Sequence, residues 1–418
     1  MMQPQLDTKF VRSHFPAFAE PSLAGQAFFE NAGGSYACAP VIERLCRFYR
    51  SRKVQPHAPY AASRLAGEEM DEARTRLAAL LGVEEDELSF GPSTTQNTYV
   101  LAQAFRRHLK PGDAIIVTNQ DHEANSGPWR RLGHEGFDIR EWRMDPETGH
   151  LDIADLERLL DTRVRLVCFP HCSNVVGEIN DVATICARVR AAGAWSCVDG
   201  VSYVPHGLPD VGALGADIYL FSAYKTYGPH QGLMVIRRAL AGVLPAQGHW
   251  FNAGDPAKRF TPAGPDHAQV AAAAGMADYL DELYVHHFAA KGGPVMSSAA
   301  PPAARARAVH DLMRAHEIRL MAPLLNFLQG RNDLRLLGPA QATGRAPTIA
   351  IEAAAPGEEL AARLAPLGIM AGGGDFYAVR ALEGVGIDPA KGVLRLSFVH
   401  YTTPEEIAKL IGALDRVL

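Results

Sequence analysis

Short apolar runs alternate with helical segments along the first half of the chain, and this alternation constrains the fold most. Residues 114–119, 165–170, 194–199 and 216–222 are predicted strands, and residues 181–192 are a predicted helix. Runs rich in β-branched residues that alternate with helices are typical of buried strands in a parallel sheet. The sequence therefore predicts an α/β fold with helices on both faces of a mostly parallel sheet.

The length and one change in composition indicate two domains. A chain of 418 residues is longer than a single simple core usually supports. Residues 291–304 are rich in Gly, Pro, Ser and Ala and are the expected linker. We expect a large domain at residues 36–295, and a small α+β domain formed by residues 1–35 and 296–418.

Charge and hydropathy exclude several classes of partner. The formal net charge of −5 gives no electrostatic reason to expect nucleic acid or an anionic membrane surface. With 47% hydrophobic residues the composition is that of an ordinary globular protein, and no apolar run is long enough to span a bilayer. The N-terminal residues lack a signal-peptide pattern, so a cytoplasmic protein is expected.

The six cysteines are sparse and all lie in the first half of the chain: Cys38, Cys46, Cys168, Cys172, Cys186 and Cys197. Reduced thiols that pack in the interior are the expected state. Cys168 and Cys172 are too far apart for a CxxC pair, and no second ligand pair accompanies them. We expect no metal site.

Polar residues that follow the predicted strands are the candidate site, because open α/β sheets bind ligands beyond the carboxyl ends of their strands. Ser93 and Thr94 open a helix after a Gly-Pro turn, where backbone N–H groups and hydroxyls can hold an anion, or where Ser93 simply caps the helix. No nucleotide motif of the GxxxxGK[ST] or GxGxxG type competes for this position. His122 could stack on a ligand ring or lie at the surface.

Two further strand ends carry charge. Asp199 needs a partner if it is buried, and a protonated pyridine nitrogen, a helix cap or a salt bridge would each serve. Lys225 follows a strand amid Gly and Pro, and a buried lysine of lowered pKa can form a Schiff base. An anion cradle, a ring-stacking group, a carboxylate and an imine-forming lysine are together the parts that pyridoxal 5′-phosphate (PLP) requires.

From FFENAGGSYACAPVIERL, which begins at Phe28, to RLSFVHYTTPEEI, which begins at Arg395, the chain resembles the aminotransferase class V family of fold-type I PLP-dependent enzymes. It is most similar to the cysteine desulfurase-like branch. The order His122, Asp199, Ser222-x-x-Lys225 and Arg395 carries this resemblance. The resemblance implies a large domain with a mostly parallel seven-stranded sheet between helices, plus a smaller α+β C-terminal domain.

The resemblance also implies a role for each matching residue. Lys225 would form the Schiff base and move the substrate's Cα proton, Asp199 would pair with the pyridine nitrogen, and His122 would stack on the ring. The remaining expected contacts are Ser93, Thr94, Ser222 and Tyr224 at the phosphate, Asn174 near the 3-hydroxyl, Ser202 near the cofactor oxygen, and Arg395 with Asn31 at the substrate. Arg395 would grip the α-carboxylate, a two-pronged contact that suits guanidinium. A surface arginine or a structural ion pair is the alternative explanation of this residue.

The chain departs from the desulfurase pattern at several positions. Tyr224 replaces a histidine, and Ser202 replaces a glutamine. Gly264 stands where the family often has a threonine that reaches the cofactor phosphate of the neighbouring subunit, so the resemblance implies a homodimer. The stretch before Arg395 has no cysteine, which excludes a persulfide mechanism that uses this loop. Its Gly372–Gly374 run is expected to be a flexible segment that closes over the substrate.

The expected function is a PLP-dependent enzyme that acts on an amino acid through an external aldimine and Cα deprotonation. A desulfurase-like C–S lyase that catalyses β-elimination without a loop cysteine is the first expectation. An aminotransferase or an epimerase is the alternative, because the fate of the Cα carbanion decides the reaction. A non-catalytic PLP-binding protein is an alternative of another class, against which the presence of both Lys225 and Arg395 argues.

Overall fold

The computed structural model describes residues 4–289 and 300–418. The strands are β1 (Ala27–Phe28), β2 (Leu88–Gly91), β3 (Ala114–Thr118), β4 (Asp138–Trp142), β5 (Val164–Pro170), β6 (Trp195–Asp199), β7 (Ile218–Ser222), β8 (Gly232–Ile236), β9 (Leu334–Leu336), β10 (Thr348–Ala353), β11 (Ile369–Met370), β12 (Gly372–Gly374) and β13 (Val393–Ser397). The four strands predicted in the first half are β3, β5, β6 and β7. Each of the four is buried along nearly its whole length, which explains its apolar sequence.

The helices predicted at residues 181–192 and after Ser93 are both present. The helices are α1 (Thr8–Ser13), α2 (Ala39–Ser51), α3 (Ala61–Leu80), α4 (Thr94–His108), α5 (Glu123–Arg131), α6 (Ile153–Leu159), α7 (Val182–Ala191), α8 (Val211–Leu214), α9 (Arg238–Val243), α10 (His267–Tyr284), α11 (Pro302–Gln329), α12 (Gly357–Leu364), α13 (Val379–Gly384) and α14 (Pro404–Val417). Thr403 caps α14 and forms a capping box with Glu406, as the TTPEE sequence predicts. None of the helices in the described ranges combines the length and apolar character that crossing a bilayer demands.

The chain divides into two compact units, each built from three stretches. Unit 1 comprises Met1–Ala17, Ser35–Leu109 and Gly207–Leu312, and unit 2 comprises Phe18–Gly34, Lys110–His206 and Met313–Leu418. Both units mix segments of the two predicted domains, and the domain boundaries stay a prediction. Most of the predicted linker at 291–304 lies outside the described residues, and its last three residues begin α11.

Unit 1 contains an antiparallel three-stranded arrangement in the order β2-β8-β7. Its long helix α10 packs against α2 and α3, where Phe48, Ala66, Ala268 and Ala271 form a small core. A Cβ at Gly275 would lie 2.5 Å from the Val41 nitrogen, so glycine is required where α10 approaches α2. This close approach fixes the helical layer of unit 1.

Unit 2 contains the parallel strands in the order β6-β5-β3-β4. These four strands and the three of unit 1 match the number that the family resemblance implies for the large sheet. Unit 2 also contains a four-stranded antiparallel sheet in the order β12-β13-β10-β9, and β1 pairs in parallel with β11. Its core is formed by Phe29, Leu324, Ile349, Leu394, Phe398 and Leu414, among others.

Candidate active site

In unit 1, the start of α4 forms a cradle of hydroxyls and backbone N–H groups. Ser93 caps the helix by accepting a hydrogen bond from the Gln96 amide at 3.2 Å. The Thr94 and Ser222 hydroxyls are buried and lie 2.8 Å apart. A Cβ at Gly232 would lie 2.5 Å from the Thr94 nitrogen, so only glycine allows β8 to approach this turn. Hydroxyls at a helix N-terminus suit a phosphate group.

Lys225 lies in a short helical turn directly after β7 and is only 9% exposed. Its Nζ is 6.0 Å from the centre of the Tyr224 ring. That ring stacks on His230, with centroids 4.6 Å apart and planes 9° from parallel. The lysine is therefore enclosed beside an aromatic pair. The predicted phosphate contact of Tyr224 stays a prediction.

Gly264 lines a cavity of unit 1 of about 390 Å³, whose other lining residues include His57, Arg74, Phe90 and His267. A Cβ at Gly264 would meet no atom of the described residues within 4 Å. Local packing therefore does not explain the glycine. Its predicted place opposite a neighbouring subunit stays a prediction.

In unit 2, two buried carboxylates lie close together. Asp199 ends β6 and accepts a hydrogen bond from the Val201 amide at 2.8 Å. Asp121 accepts a hydrogen bond from Asn125 Nδ2 at 2.8 Å. Burial raises the pKa of Asp121 above its ordinary value, and the nearby charge of Asp199 raises it further. Sequence reasoning missed Asp121, although it directly precedes His122.

His122 caps α5 and is not a freely solvated surface residue. Its Nδ1 accepts a hydrogen bond from the Ala124 amide at 3.0 Å. Its ring lies 5.7 Å from that of Tyr377, at an angle of 38°. These contacts fix the imidazole orientation. Ser202 lies in the turn that follows β6 and is 8% exposed.

Asn174 has one buried polar atom that a ligand could satisfy. Its Nδ2 donates to the Phe376 carbonyl at 3.0 Å. Its Oδ1 is buried and has no hydrogen-bond partner among the described residues. A buried acceptor without a donor is costly, so a hydroxyl donor would fit there.

Arg395 lies on β13 between two buried leucines and is 3% exposed. Its Nη1 donates to the Asn174 carbonyl at 3.2 Å, and its Nη2 lies 2.6 Å from Glu30 Oε1. The guanidinium also lies over the Phe376 ring, 3.8 Å from its centre. Burial lowers the pKa of Arg395, and the Glu30 carboxylate opposes that shift. A structural ion pair is one of the alternatives that the sequence leaves open for Arg395, although the sequence does not identify Glu30 as its partner. The carboxylate-binding role of Arg395 stays a prediction.

Asn31 follows Glu30 and is held by the interior of unit 2. Its Oδ1 accepts a hydrogen bond from the Tyr401 hydroxyl, and its backbone N–H donates to the Ser397 carbonyl at 3.2 Å. Its side chain is 2% exposed. The predicted contact with substrate stays a prediction.

The prediction of a flexible glycine-rich loop is wrong in its structural part, because Gly372–Gly374 form strand β12. Gly372 pairs with Arg395, and Gly374 pairs with Val393. A Cβ at Gly373 would lie 2.1 Å from the backbone of Gly357, at the start of α12. These glycines therefore allow close packing rather than motion.

The cysteines are all free, and each except Cys46 is buried. Burial raises the pKa of Cys38 and that of Cys172 to about 12, so these thiols stay protonated. Within residues 4–289 and 300–418, His, Cys, Asp and Glu side chains form no group of three placed to hold a metal ion.

The side chains present fit PLP. Hydroxyls at a helix start suit its phosphate, a buried carboxylate suits its ring nitrogen, and the unpartnered Asn174 Oδ1 suits its 3-hydroxyl. An enclosed lysine completes this set of groups.

The fold is that of cysteine desulfurases of known structure. The enzyme from Thermococcus onnurineus matches all of this chain and 99% of its own, with a TM-score of 0.84 at 22% identity. CsdA from Escherichia coli matches 98% of both chains, with a TM-score of 0.80 at 23% identity. The predicted fold class, the fold-type I architecture of PLP-dependent enzymes, is confirmed.

Sequence similarity defines the family. The class-V aminotransferase family matches residues 27–261, which is more than half of the chain. The aminotransferase-like protein FGM3 of Gibberella zeae is 32% identical over 98% of both chains, and a cysteine desulfurase of Serratia proteamaculans is 30% identical over 97% of both. The chain belongs to the aminotransferase class-V family, whose enzymes depend on PLP, act on amino acids and are typically dimers. The predicted family and enzyme class are confirmed.

Proposed function

We propose that the chain is a PLP-dependent C–S lyase that removes a sulfur substituent from the β-carbon of an amino acid without a catalytic cysteine. The absence of a cysteine before the arginine motif carries this proposal. The resemblance to the desulfurases implies a nucleophilic cysteine on a loop shortly before that motif, and here residues 370–394, which include strand β12 and helix α13, contain none. Sulfur would therefore leave as a small molecule rather than as a protein persulfide.

The residues of both units have separate tasks in this proposal. Ser93, Thr94, Ser222 and Tyr224 would hold the phosphate, and Lys225 would bind the cofactor aldehyde. Asp199 would pair with the pyridine nitrogen, His122 would stack on the ring, and Asn174 and Ser202 would contact its oxygen. Arg395 would bind the substrate's α-carboxylate, with Asn31 beside it.

Bound PLP would supply an electron sink that stabilises negative charge at the substrate's Cα. The Lys225 amine would take the Cα proton as a general base. The Cβ–S bond then breaks, and the sulfur leaves with the bonding electrons and accepts a proton. Hydrolysis of the remaining unsaturated amino acid gives ammonia and a 2-keto acid, which is pyruvate for a cysteine derivative.

A product panel tests the reaction. Purified enzyme is incubated with cysteine, cysteine conjugates and other amino acids, and thiol, pyruvate, ammonia and alanine are measured. Thiol, pyruvate and ammonia in equal amounts are expected from at least one cysteine derivative. Alanine with persulfide sulfur, or a keto acid formed only with an added acceptor, would contradict the proposal.

Transamination is the second candidate. The relative FGM3, similar over nearly the whole chain, is described as aminotransferase-like. A transaminase would form a keto acid that keeps the donor's side chain, and only when an acceptor keto acid is present. An epimerase would instead exchange the Cα hydrogen with solvent without net product.

Turnover distinguishes an enzyme from the non-catalytic alternative, a protein that binds PLP without converting a substrate. Arg395 has an internal partner in Glu30, so its presence alone does not argue for substrate binding. A protein that binds PLP but converts no member of the panel would support this alternative.

Borohydride reduction tests Lys225 directly. The protein should be yellow, and reduction should fix the colour to the peptide that contains Lys225. A Lys225→Ala variant that still forms a reducible imine at another lysine would exclude the assignment. Replacing each cysteine by alanine should leave turnover intact, because five of the six are buried.

We also propose a homodimer. In unit 1, Trp250 is 87% exposed and Phe251 is 66% exposed. Both lie close in sequence to the 261–267 segment that carries Gly264. Large exposed aromatic side chains favour a protein interface. Light scattering should give twice the chain mass, and a fully active monomer would contradict the proposal.

A further inference from the structure

Within unit 2, Arg395 is only partly satisfied by its ion pair. Glu30 Oε1 contacts Nη2 at 2.6 Å, while Glu30 Oε2 and Arg395 Nε are both buried without a hydrogen-bond partner among the described residues. A two-pronged pair between guanidinium and carboxylate would use both oxygens. The pair is therefore a one-pronged contact.

The surroundings leave room for the Glu30 carboxylate. A Cβ at Gly372 would lie 2.6 Å from Glu30 Oε2, and a Cβ at Gly33 would lie 2.7 Å from Oε1. Both glycines lack the side chain that would push the carboxylate away. The backbone at Glu30 forms a β-bridge to Ser397, two residues beyond Arg395 on the same strand. The fold thus places a carboxylate at this arginine.

The two partners differ in their access to water. The Arg395 side chain is 4% exposed, whereas the Glu30 side chain is 28% exposed. Glu30 can therefore move toward solvent at much lower cost than the arginine can. A second carboxylate bound to Arg395 would lie beside the carboxylate of Glu30. Two negative charges in contact with the same guanidinium repel strongly in a poorly solvated site.

We propose that Glu30 is a specificity-determining residue that occupies the carboxylate site on Arg395 and must be displaced by an incoming carboxylate. This inference rests on the proposed function, in which Arg395 binds the substrate's α-carboxylate. Glu30 excludes small carboxylates, which have only the arginine contact to offer. It admits an amino acid whose amine and side chain make further contacts that offset the displacement.

Calorimetric titration with propionate tests this inference, because propionate has a carboxylate but no amine. Glu30→Gln should bind propionate at least tenfold more tightly than the unmodified protein, since the competing charge is gone. Glu352→Gln is the matched control: Glu352 also belongs to unit 2, is 27% exposed and is ion-paired, with Lys391. The control should leave propionate affinity unchanged, and Arg395→Ala should abolish the binding gained by Glu30→Gln.

Equal propionate affinity in the unmodified protein and in Glu30→Gln, or no binding to either, would overturn the inference. If Glu30→Gln fails to fold in a thermal melt, Glu30→Asp serves instead. The shorter acid keeps the charge but cannot reach Nη2 equally well, so propionate should bind several-fold more tightly. Unchanged affinity in a folded Glu30→Asp variant would likewise overturn the inference.

A second probe separates this inference from the proposed function. Methylamine has an amine but no carboxylate, and it should change the cofactor absorbance equally in the unmodified protein and in Glu30→Gln. No absorbance response to methylamine contradicts the proposed function, whatever propionate does. A normal methylamine response with unchanged propionate affinity contradicts only the role of Glu30.

Discussion

Two buried arginines of unit 2, Arg345 and Arg395, reach the interior with different partners. Arg345 is fully buried and donates to four backbone carbonyls, those of Val176, Leu337, Pro339 and Thr348, at 2.7 to 3.2 Å. Arg395 donates to one carbonyl, that of Asn174, and to the Glu30 carboxylate, and lies over the Phe376 ring. Burial lowers the pKa of Arg345 to about 10, and the charge of the Cys172 thiolate form would oppose this shift.

The difference distinguishes a structural arginine from one suited to a ligand. Backbone carbonyls are fixed by the fold, so they cannot be exchanged for a ligand without unfolding the segment. A partly exposed glutamate can turn away and leave the guanidinium to another anion. Burial alone therefore says little about function, whereas the mobility of the partners is informative.

Arg345→Ala should give the largest loss of stability. Four carbonyls would lose their donor in the interior, which should cost on the order of 4 kcal/mol or more in the free energy of unfolding. Urea unfolding of the variant measures this loss. Arg335→Ala is the control, because Arg335 donates to the carbonyls of Val385 and Pro146 but is 39% exposed. An equal loss in both variants would remove the distinction drawn for Arg345.

Arg395→Ala should affect catalysis more than stability. If Arg395 binds the α-carboxylate, kcat/KM should fall tens-fold or more, about 2 kcal/mol or more, while PLP occupancy stays normal. Arg395→Lys should recover only part of this, because an ammonium cannot make the two-pronged contact. Steady-state kinetics with an accepted amino acid measure both variants. Unchanged kinetics with a stability loss like that of Arg345→Ala would make the two arginines equivalent.

A smaller effect on stability is expected at Asp121. This buried acid, like the two arginines, depends on the groups around it for its charge state. Its folded-state pKa is raised above 3.8 by burial and by Asp199. The protonated form is thus favoured on folding, and its stabilising effect is full below pH 3.8 and is lost as pH rises through the folded-state pKa. Asp121→Asn should therefore gain stability relative to the unmodified protein as pH rises from 3.8 toward neutrality. Melting temperatures across this range measure the gain, and a difference independent of pH would contradict it.

The sequence predicts the elements of this fold well, because burial and capping leave local patterns. Strands β3, β5, β6 and β7 have apolar sequences, and the spacing of Thr403 and Glu406 predicts the start of α14. The lysine and the carboxylate at strand ends are also readable locally. The partner of Arg395 is not, because Glu30 is 365 positions away and no local pattern joins them.

The glycine run shows a second limit of local reasoning. Three consecutive glycines indicate flexibility when only backbone freedom is considered. Gly373 instead lies against the backbone of Gly357, and Gly372 leaves room for Glu30. A glycine that avoids a collision and a glycine that permits motion look the same in a sequence. Only the neighbours in three dimensions separate the two cases.

The pairing of β1 with β11 sets an order of events during synthesis. Ala27 is translated 342 residues before its strand partner, Ile369. Unit 2 thus remains open at one edge until residue 369 has been translated. Contacts of such sequence separation form slowly and leave apolar surface uncovered in the meantime. A premature stop before residue 369 would therefore leave Phe29 and its neighbours without the residues they pack against. The truncated chain would be expected to misfold and be degraded rather than to act as a smaller enzyme.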